Sequence, residues 1–391
     1  MLNFIYNTPT KVYFGKDEEL KIGSIIKELG FKKILLHYGK SSIKTSGLYD
    51  IIIGKLKEND IDYVELGGVE PNPKLSLVEK GIELVKKEKI EMILAVGGGS
   101  VIDSSKAIAV GCKVDFSPWK FSIKEEIPKD HIPVGVILTI AASGSDMSNS
   151  CVITNDKTNK KTGFNSELNR PLFAILDPIL TYTVSKYQTA CGVVDIMMHT
   201  LERYFSNGTD DTPLTDNIAL GLLKTVYKEG LKAINEPDNY EARANLLWAN
   251  SLSHNGLTQC GREFLMSVHQ LEHELSGMYD NVAHGAGLAV LWPGWALKAY
   301  KAQPDRFLRF AYEVMEIKPT ANKESDIINA INKLKQYYVE LGMPAQLREF
   351  GVTKESLKEM ALRLTNNKSK SFNDIINVDF DMALAIYESV Y

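Results

Sequence analysis

The sequence predicts an N-terminal α/β domain on a mostly parallel, Rossmann-like sheet, residues 1–184, followed by an all-α domain, residues 185–391. Three observations predict it. At 391 residues the chain is longer than one hydrophobic core usually spans. Its first half alternates short apolar runs with segments of helical periodicity. After about Pro178 the apolar runs stop and only helical periodicity remains.

The elements follow in order. "KKILLHYG" is a short apolar run ending at Gly39, "GLYDIIIGKLKEND" a helix, and "IDYVEL" a strand. "SLVEKGIELVKKEK" sets apolar residues at helical spacing with charges on the opposite face. "IEMILAVGGGS" is a continuous apolar strand stopped by glycines, and "IPVGVILTI" and "LFAILDP" are two more strands. Strands that read as unbroken apolar runs are covered on both faces, which is the signature of a parallel sheet between helices. Past a boundary near 180–187, "ACGVVDIMMHTLERYF", "DNIALGLLKTVYKEGLKAI", "YEARANLLWANSLSHNGL", "FLMSVHQLEHELSG" and "ESDIINAINKLKQYYVELG" all repeat at helical spacing. The connections are short and polar, with no Gly/Ser linker, so close packing of the two domains is expected.

Composition removes several function classes. A net charge of −4 without a basic block argues against nucleic-acid binding. The longest apolar run, "IPVGVILTIAA", is too short to cross a bilayer, so no membrane association is expected. The start, "MLNFIYNTPTKVYFG", has no basic segment followed by an apolar stretch and cleavage site. The four cysteines, Cys112, Cys151, Cys191 and Cys260, form no C-x-x-C pair and read as free thiols. A cytoplasmic protein is expected.

"LAVGGGSVIDSSKAIAV" is strand, three glycines, helix. Glycines let the backbone approach a ligand, and a helix start offers unpaired N–H groups to an anion such as a pyrophosphate. The loop fails the G-x-G-x-x-G pattern at Ile102 and has no following Gly-Lys for a P-loop. It carries its own signature, G-G-G-S-x-x-D ending at Asp103. Nucleotide binding and a tight structural turn both remain open from this stretch alone. The loop after the earlier strand offers Gly39, Lys40, Ser41, Ser42 and Lys44 and no acid. NAD selection usually places an acid against the ribose 2′-hydroxyl, so a dinucleotide bound here is expected to be NADP(H) in preference to NAD(H).

Asp195 and His199 stand four apart in an apolar stretch, so they share a helix face. His269 and His273 repeat that spacing, and His284 follows between small residues in "NVAHGAGLAV". A buried, unpaired carboxylate is costly, and a divalent cation would compensate it. One Asp with His residues makes an oxygen–nitrogen set suited to Zn2+ or Fe2+. "HELSG" fails the H-E-x-x-H motif at Gly277. His37, His131 and His254 stand apart and read as surface or hydrogen-bonded histidines.

Taken together, "PTKVYFGKDE", "YGKSSIKTSGLYD", "GVEPNPKLS", "ILAVGGGSVIDSSKAIA", "ASGSDMSNSCVITN", "AILDPILTYTVSKYQTACGVVDIMMHTLERYF", "YEARANLLWANSLSHNGL" and "VHQLEHELSGMYDNVAHGAGLAVLWP" resemble the iron-containing (group III) alcohol dehydrogenases, within them the NADPH-dependent butanol-dehydrogenase-like branch. The resemblance covers nearly the whole chain. It implies the dehydroquinate-synthase-like architecture of that family, with cofactor and metal facing each other across a cleft. It places the metal ligands at Asp195, His199, His269 and His284, and the pyrophosphate loop at Gly97, Gly98, Gly99 and Ser100, with Asp103 on the nicotinamide side as a catalytic candidate. The adenosine-ribose loop falls on Gly39, Lys40, Ser41 and Ser42, where that branch usually has Y-G-G-G-S; Lys40 would help a 2′-phosphate. The family's T-G-S-E loop appears as Ser143-Gly144-Ser145-Asp146, and Asn72, Thr139 and Lys161 match further cofactor-lining positions.

The resemblance implies hydride transfer between NADP(H) and primary alcohols or aldehydes, butanol and butyraldehyde among them, with one Fe2+ or Zn2+. His273 is the expected proton relay. A homodimer is expected, with small alcohols and aldehydes as the other partners. Two rivals stand beside this reading: a glycerol-dehydrogenase-like enzyme acting on a polyol or small carbonyl, and a non-catalytic nucleotide-binding relative.

Overall fold

A computed structural model describes residues 1–206, 208 and 211–391. The chain forms two compact units, Asn7–Val184 and Ser185–Tyr391, the second also taking in Met1–Tyr6. The first six residues therefore lie outside the α/β unit to which the sequence assigned them. Leu2 fastens them, its backbone N–H donating to the Gly261 carbonyl at 2.9 Å.

The Asn7–Val184 unit carries strands β1 (Lys11–Phe14), β2 (Lys33–Tyr38), β3 (Asp62–Leu66), β4 (Met92–Gly97), β5 (Val134–Leu138), β6 (Ser150–Asn155), β7 (Lys160–Asn165) and β8 (Phe173–Leu176). Six form one sheet in the order β1-β8-β5-β4-β2-β3, and every pairing in it is parallel. From β2 the chain steps outward to β3, whereas from β4 it steps the other way to β5 and on to β8. The loops after β2 and β4 thus leave neighbouring strands in opposite directions. That reversal opens a crevice at the carboxyl ends of the strands, where doubly wound sheets bind ligands.

The central strands are apolar because both their faces are covered. Every residue of β4 and β5 is buried. Full burial of a side chain such as Ile93 or Leu94 contributes about 1.5–3 kcal/mol. Opposite Phe173 in the ladder stands Gly135, and a Cβ there would lie 2.2 Å from the Phe173 ring. The missing side chain makes room for the ring. Strands β6 and β7 form an antiparallel hairpin outside the main sheet. The apolar-run reading missed it, because a hairpin solvated on one side mixes polar and apolar positions.

His37, near the end of β2, is fully buried between Leu66 O (2.6 Å from Nδ1) and Ser104 Oγ (2.8 Å from Nε2). A carbonyl only accepts, so Nδ1 carries the proton and Nε2 accepts from the serine hydroxyl.

The second unit is helical, apart from a short strand pair at Phe372–Asn373 and Asn377–Val378. Its central helix is Lys186–Tyr204, begun by Ser185, whose Oγ accepts from Gln188 N at 3.2 Å. Every residue from Gly192 to Tyr204 is buried, so this helix is covered on all faces. Helices Pro213–Asn235, Tyr240–His254 and His284–Ala299 pack on it, and Ser267–Met278 packs on His284–Ala299. Among the described residues no helix is long and apolar enough to cross a membrane.

Burial pushes His37 down from its ordinary value to about 4, against the pull of the Leu66 carbonyl. The folded state therefore resists the proton that the unfolded chain accepts below about pH 6.5. Stability from this group is complete above that pH and is lost as the pH falls toward 4, by roughly 3 kcal/mol. Denaturant unfolding across that range should show a shallower pH slope in His37→Gln than in the parent; equal slopes would refute the assignment.

Candidate functional site

The helical unit collects the acid and imidazole residues around one buried oxygen. Asp195 Oδ1 lies 3.2 Å from His199 Nδ1, 3.6 Å from His269 Nε2 and 3.9 Å from His284 Nε2. Asp195 and His199 come from consecutive turns of the central helix. His269 comes from the first turn of Ser267–Met278, and His284 is the first residue of His284–Ala299. Two glycines permit the approach. A Cβ on Gly285 would lie 2.1 Å from the Cys191 carbonyl oxygen, and one on Gly287 would lie 2.9 Å from Glu272 Cγ.

Two glutamates that the sequence reading passed over orient this set. Glu202 is fully buried and accepts with Oε1 from the backbone N–H groups of Val268 (2.6 Å) and His269 (3.3 Å). It thereby caps the first turn of a helix that has no side-chain cap of its own. Its Oε2 takes the Nδ1 proton of His269. Glu272, equally buried, does the same for His284 Nδ1. His199 Nδ1 lies 2.9 Å from the Asp195 backbone carbonyl. All three Nδ1 atoms face oxygens that accept, so all three Nε2 lone pairs are left available.

Asp195 Oδ1 and His269 Nε2 are buried and have no hydrogen-bond partner. Groups of this kind are rare in a folded interior. Asp195, His199 and His269 donor atoms lie within 4.8 Å of one another, as do those of Glu272, His273 and His284. The unsatisfied oxygen and His269 nitrogen, with His199 and His284 beside them, fit a divalent cation.

Electrostatics agree with that fit. Burial holds His199 well below its ordinary range, and the neighbouring His254, His269, Arg203 and His284 add to the effect. For His269, burial opposes the proton, but Glu202 and Asp195 outweigh it and raise the group to about 9. The carboxylates around His269 attract positive charge to the spot where a cation would sit.

Two histidines need separate placement. The His273 ring centroid lies 6.4 Å from His269 and 5.6 Å from His284, and the residue is half-buried beside the cluster. His254, which the sequence left apart, stacks on His199 with ring centroids 4.1 Å apart. It ends the Tyr240–His254 helix, 55 residues down the chain from His199, and no local spacing announces the contact.

In the other unit the helix Gly99–Gly111 starts at the end of β4, and Gly98 at its N-cap gives no side-chain cap. Val101 N and Ile102 N donate to the Gly98 carbonyl at 3.0 and 3.2 Å, and the N–H groups of Gly99 and Ser100 ahead of them suit an anion. Ser143 sits against Gly99, where a Cβ would lie 2.2 Å from Ser143 Oγ; a Cβ on Gly98 would lie 2.5 Å from Ile140. Thr139 N donates to Gly97 O at 3.1 Å. Gly97 to Ser100, Thr139, Ser143 and Ser145 therefore gather at one strand end.

Asp103 sits one turn into that helix, half-buried, and both its oxygens are committed. Oδ1 accepts a short bond from Ser145 Oγ and Oδ2 accepts from Val152 N at 2.9 Å. Burial raises its carboxyl above the usual range, against the pull of Lys106 and these donors. Lys106, fully buried, donates to Ser145 Oγ (2.8 Å), Ser148 O (3.0 Å) and Ser150 O (2.8 Å). Asp103 and Lys106 together fix the loop that carries Ser143 and Ser145. Lys161, half-buried on β7, lies near enough to lower the Asp103 carboxyl. Asn72 stands in the loop after β3 with φ 57°, a left-handed conformation that Asn tolerates. Gly39 to Ser42 follow β2, next to the loop after β3, with Gly68 N donating to Gly39 O at 2.8 Å.

Comparison with known proteins matches both halves. A model of the iron-containing alcohol dehydrogenases matches residues 9–178, and one of the C-terminal region of the Fe-containing alcohol dehydrogenase family matches residues 189–391. The chain is 41% identical to NADH-dependent butanol dehydrogenase A of Clostridium acetobutylicum and 33% identical to the NADPH-dependent aldehyde reductase YqhD of Escherichia coli, over 100% of both chains in each case. The crystal structure of NADH-dependent butanol dehydrogenase A from Thermotoga maritima superposes with a TM-score of 0.95 at 36% identity, covering 100% of this chain and 99% of that one.

The paired carboxylates generate a test. Glu272→Gln keeps the shape but weakens the hold on the His284 Nδ1 proton. It is expected to lower affinity for Zn2+ or Fe2+ by about 10–100-fold in chelator competition. An unchanged affinity would mean that Glu272 does not act on the cation site.

Proposed function

We propose, from the premise that this chain belongs to the iron-containing alcohol dehydrogenase family, that it transfers hydride reversibly between a nicotinamide dinucleotide and primary alcohols or aldehydes of about butanol size. The observation that carries the reading is the unpartnered Asp195 Oδ1 with three imidazoles closing on it.

Asp195, His199, His269 and His284 are the residues that would hold a divalent cation, Fe2+ or Zn2+. When bound, it supplies a Lewis acid for the substrate oxygen. The dinucleotide supplies the hydride, and its pyrophosphate is assigned to the N–H groups of Gly98 to Ser100. The chain's own residues do the rest. Glu202 and Glu272 fix the ring orientation of His269 and His284, so that Nε2 of each points inward. Asp103 positions Ser145 rather than acting on the substrate, since neither of its oxygens is spare. Ser143 and Ser145 supply hydroxyls beside the pyrophosphate loop, Thr139 joins them at the end of β5, and Asn72 and Lys161 are further candidates for the dinucleotide. His273, half-buried between the cluster and solvent, is the group that passes the alcohol proton outward. The exposed apolar side chains of Leu2, Phe4, Ile5 and Tyr6 fit burial against a second copy in a homodimer.

Loss of reduced-nicotinamide absorbance with butyraldehyde tests the activity directly. His284→Ala is expected to lose bound cation and turnover together while dinucleotide binding persists; full turnover in a cation-free variant would end the reading. His273→Asn is expected to lower kcat by on the order of 10²-fold or more, with cation content unchanged and the pH profile of kcat altered. An unaltered profile would remove His273 from the proton path.

A further inference from the structure

One edge of the sheet ends in three acids that the dehydrogenase chemistry does not use. Strands β1 and β8 run parallel there, with Phe14 level with Leu176, and Gly15 N donates to Leu176 O at 3.1 Å. Both strands stop at that point, and the residues that follow bring their carboxylates together. Asp17 and Glu19 come from the turn after β1, and Asp177 is the residue directly after β8. Their donor oxygens lie within 4.8 Å of one another.

The backbone fixes this convergence. Asp177 Oδ1 accepts from Ile179 N at 2.8 Å, capping the turn Pro178–Thr181, and its Oδ2 accepts from Asp17 N at 2.9 Å. Asp17 holds a left-handed conformation, φ 63°, at the start of the turn Glu18–Lys21. The lysine of that turn is engaged elsewhere, since Lys21 Nζ donates to Glu18 Oε1 at 2.6 Å. Glu19 is 5% exposed and Asp177 1%, whereas Asp17 lies open to solvent.

Glu19 supplies a second observation. Its Oε2 is buried, and no hydrogen bond reaches it. An orphaned buried carboxylate oxygen is costly, and this side chain is held beside two further carboxylates. Burial raises the Glu19 carboxyl to about 7, with Asp177 and Asp17 adding to the effect against the pull of its own backbone N–H. The cluster therefore calls for positive charge. A proton shared between Glu19 and Asp177 would answer one acid only. A cation answers all three, and the open side at Asp17 gives it an entry path and room for water ligands.

We propose that Asp17, Glu19 and Asp177 bind a hard divalent cation, Ca2+, which pins the ends of β1 and β8 together. Carboxylates without imidazole or thiolate suit Ca2+ or Mg2+ rather than a transition metal. Of these two, Ca2+ accepts an irregular site, whereas Mg2+ demands a near-ideal octahedron. Three carboxylates, one of them exposed, put the affinity at the weak end, with a Kd on the order of 10⁻⁴–10⁻³ M. The site differs from the Asp195 set in donor chemistry and lies in the other unit.

The test titrates Ca2+ calorimetrically into the zinc-loaded holoenzyme and follows the melting midpoint alongside. The parent is expected to take up one Ca2+ per chain and to melt at a higher temperature with it. Asp17→Asn preserves the turn, because Asn tolerates a left-handed backbone, and should weaken Ca2+ binding about tenfold by removing one charged ligand. Glu19→Gln should abolish it. No saturable uptake at Ca2+ roughly tenfold above that Kd range would overturn the proposal, and Glu19→Gln melting at or above the parent would then identify a shared proton as the occupant. Uptake equal in the parent and both variants would place the Ca2+ elsewhere and overturn it too. Neither result bears on the dehydrogenase reading.

Discussion

One buried carboxylate oxygen organises the helical unit. Asp195 Oδ1 lies inside a helix that is covered on every side, and no hydrogen bond reaches it. Two more carboxylates, Glu202 and Glu272, are buried within one imidazole of it. Three buried acids without positive charge would not be tolerated in an interior of low polarity, where even one unpaired ion costs several kcal/mol. The protein answers by surrounding them with histidines. His269 and His284 give their Nδ1 protons to Glu202 and Glu272 and turn Nε2 toward Asp195 Oδ1, so the charge deficit is concentrated there. A divalent cation at that point would neutralise what the fold leaves uncompensated, and its binding would then add to the stability of the helical core.

The sequence showed part of this set and concealed the rest. The i, i+4 spacing of Asp195 and His199 survives intact, because a single helix preserves local spacing in three dimensions. The matching spacing of His269 and His273 misleads. These rings are nearly perpendicular, 87° apart, and it is His284 from the next helix that approaches Asp195 alongside His269. Glu202 was legible in principle, lying seven residues after Asp195 and three after His199 on the same face. A glutamate on a helix usually reads as a solvated position, and only the tertiary structure shows that it caps another helix. The stacking of His254 on His199 had no sequence signal at all, since it depends on how the Tyr240–His254 helix crosses the central one.

In the α/β unit, apolar continuity marked β2, β4, β5 and β8, which are buried along nearly all their length, whereas β3, at the sheet edge, was read from "IDYVEL" although none of its residues is buried. Edge strand β1 and the β6–β7 hairpin were not, because partial solvation breaks up the apolar pattern. Strand order could not be read from the string, and it alone brings the loops after β2 and β4 side by side. Lys106 makes the same point at a single residue. In sequence it is one more lysine on a helix. In the fold its ammonium is fully buried, and oxygens of Ser145, Ser148 and Ser150 accept from it while Asp103 supplies the balancing charge.

The glycine loop had two readings, a ligand cradle and a tight structural turn, and the structure bears directly on the second. Gly98 and Gly99 need no left-handed backbone; neither has a positive φ. What they require is the absence of a Cβ, because Ile140 and Ser143 occupy that space. The structural demand is therefore real and would hold with no ligand bound. Yet meeting it has a chemical consequence. The same empty positions bring the Ser143 hydroxyl against the start of the Gly99–Gly111 helix, whose N–H groups have no side-chain cap. Packing thus supplies a hydroxyl at a helix terminus already biased toward negative charge. Any larger residue at 98 or 99 would meet Ile140 or Ser143 and so disturb the turn and the start of the helix in one step. Asp103, further along the same helix, holds Ser145 and Val152 through its carboxylate and balances the charge of Lys106.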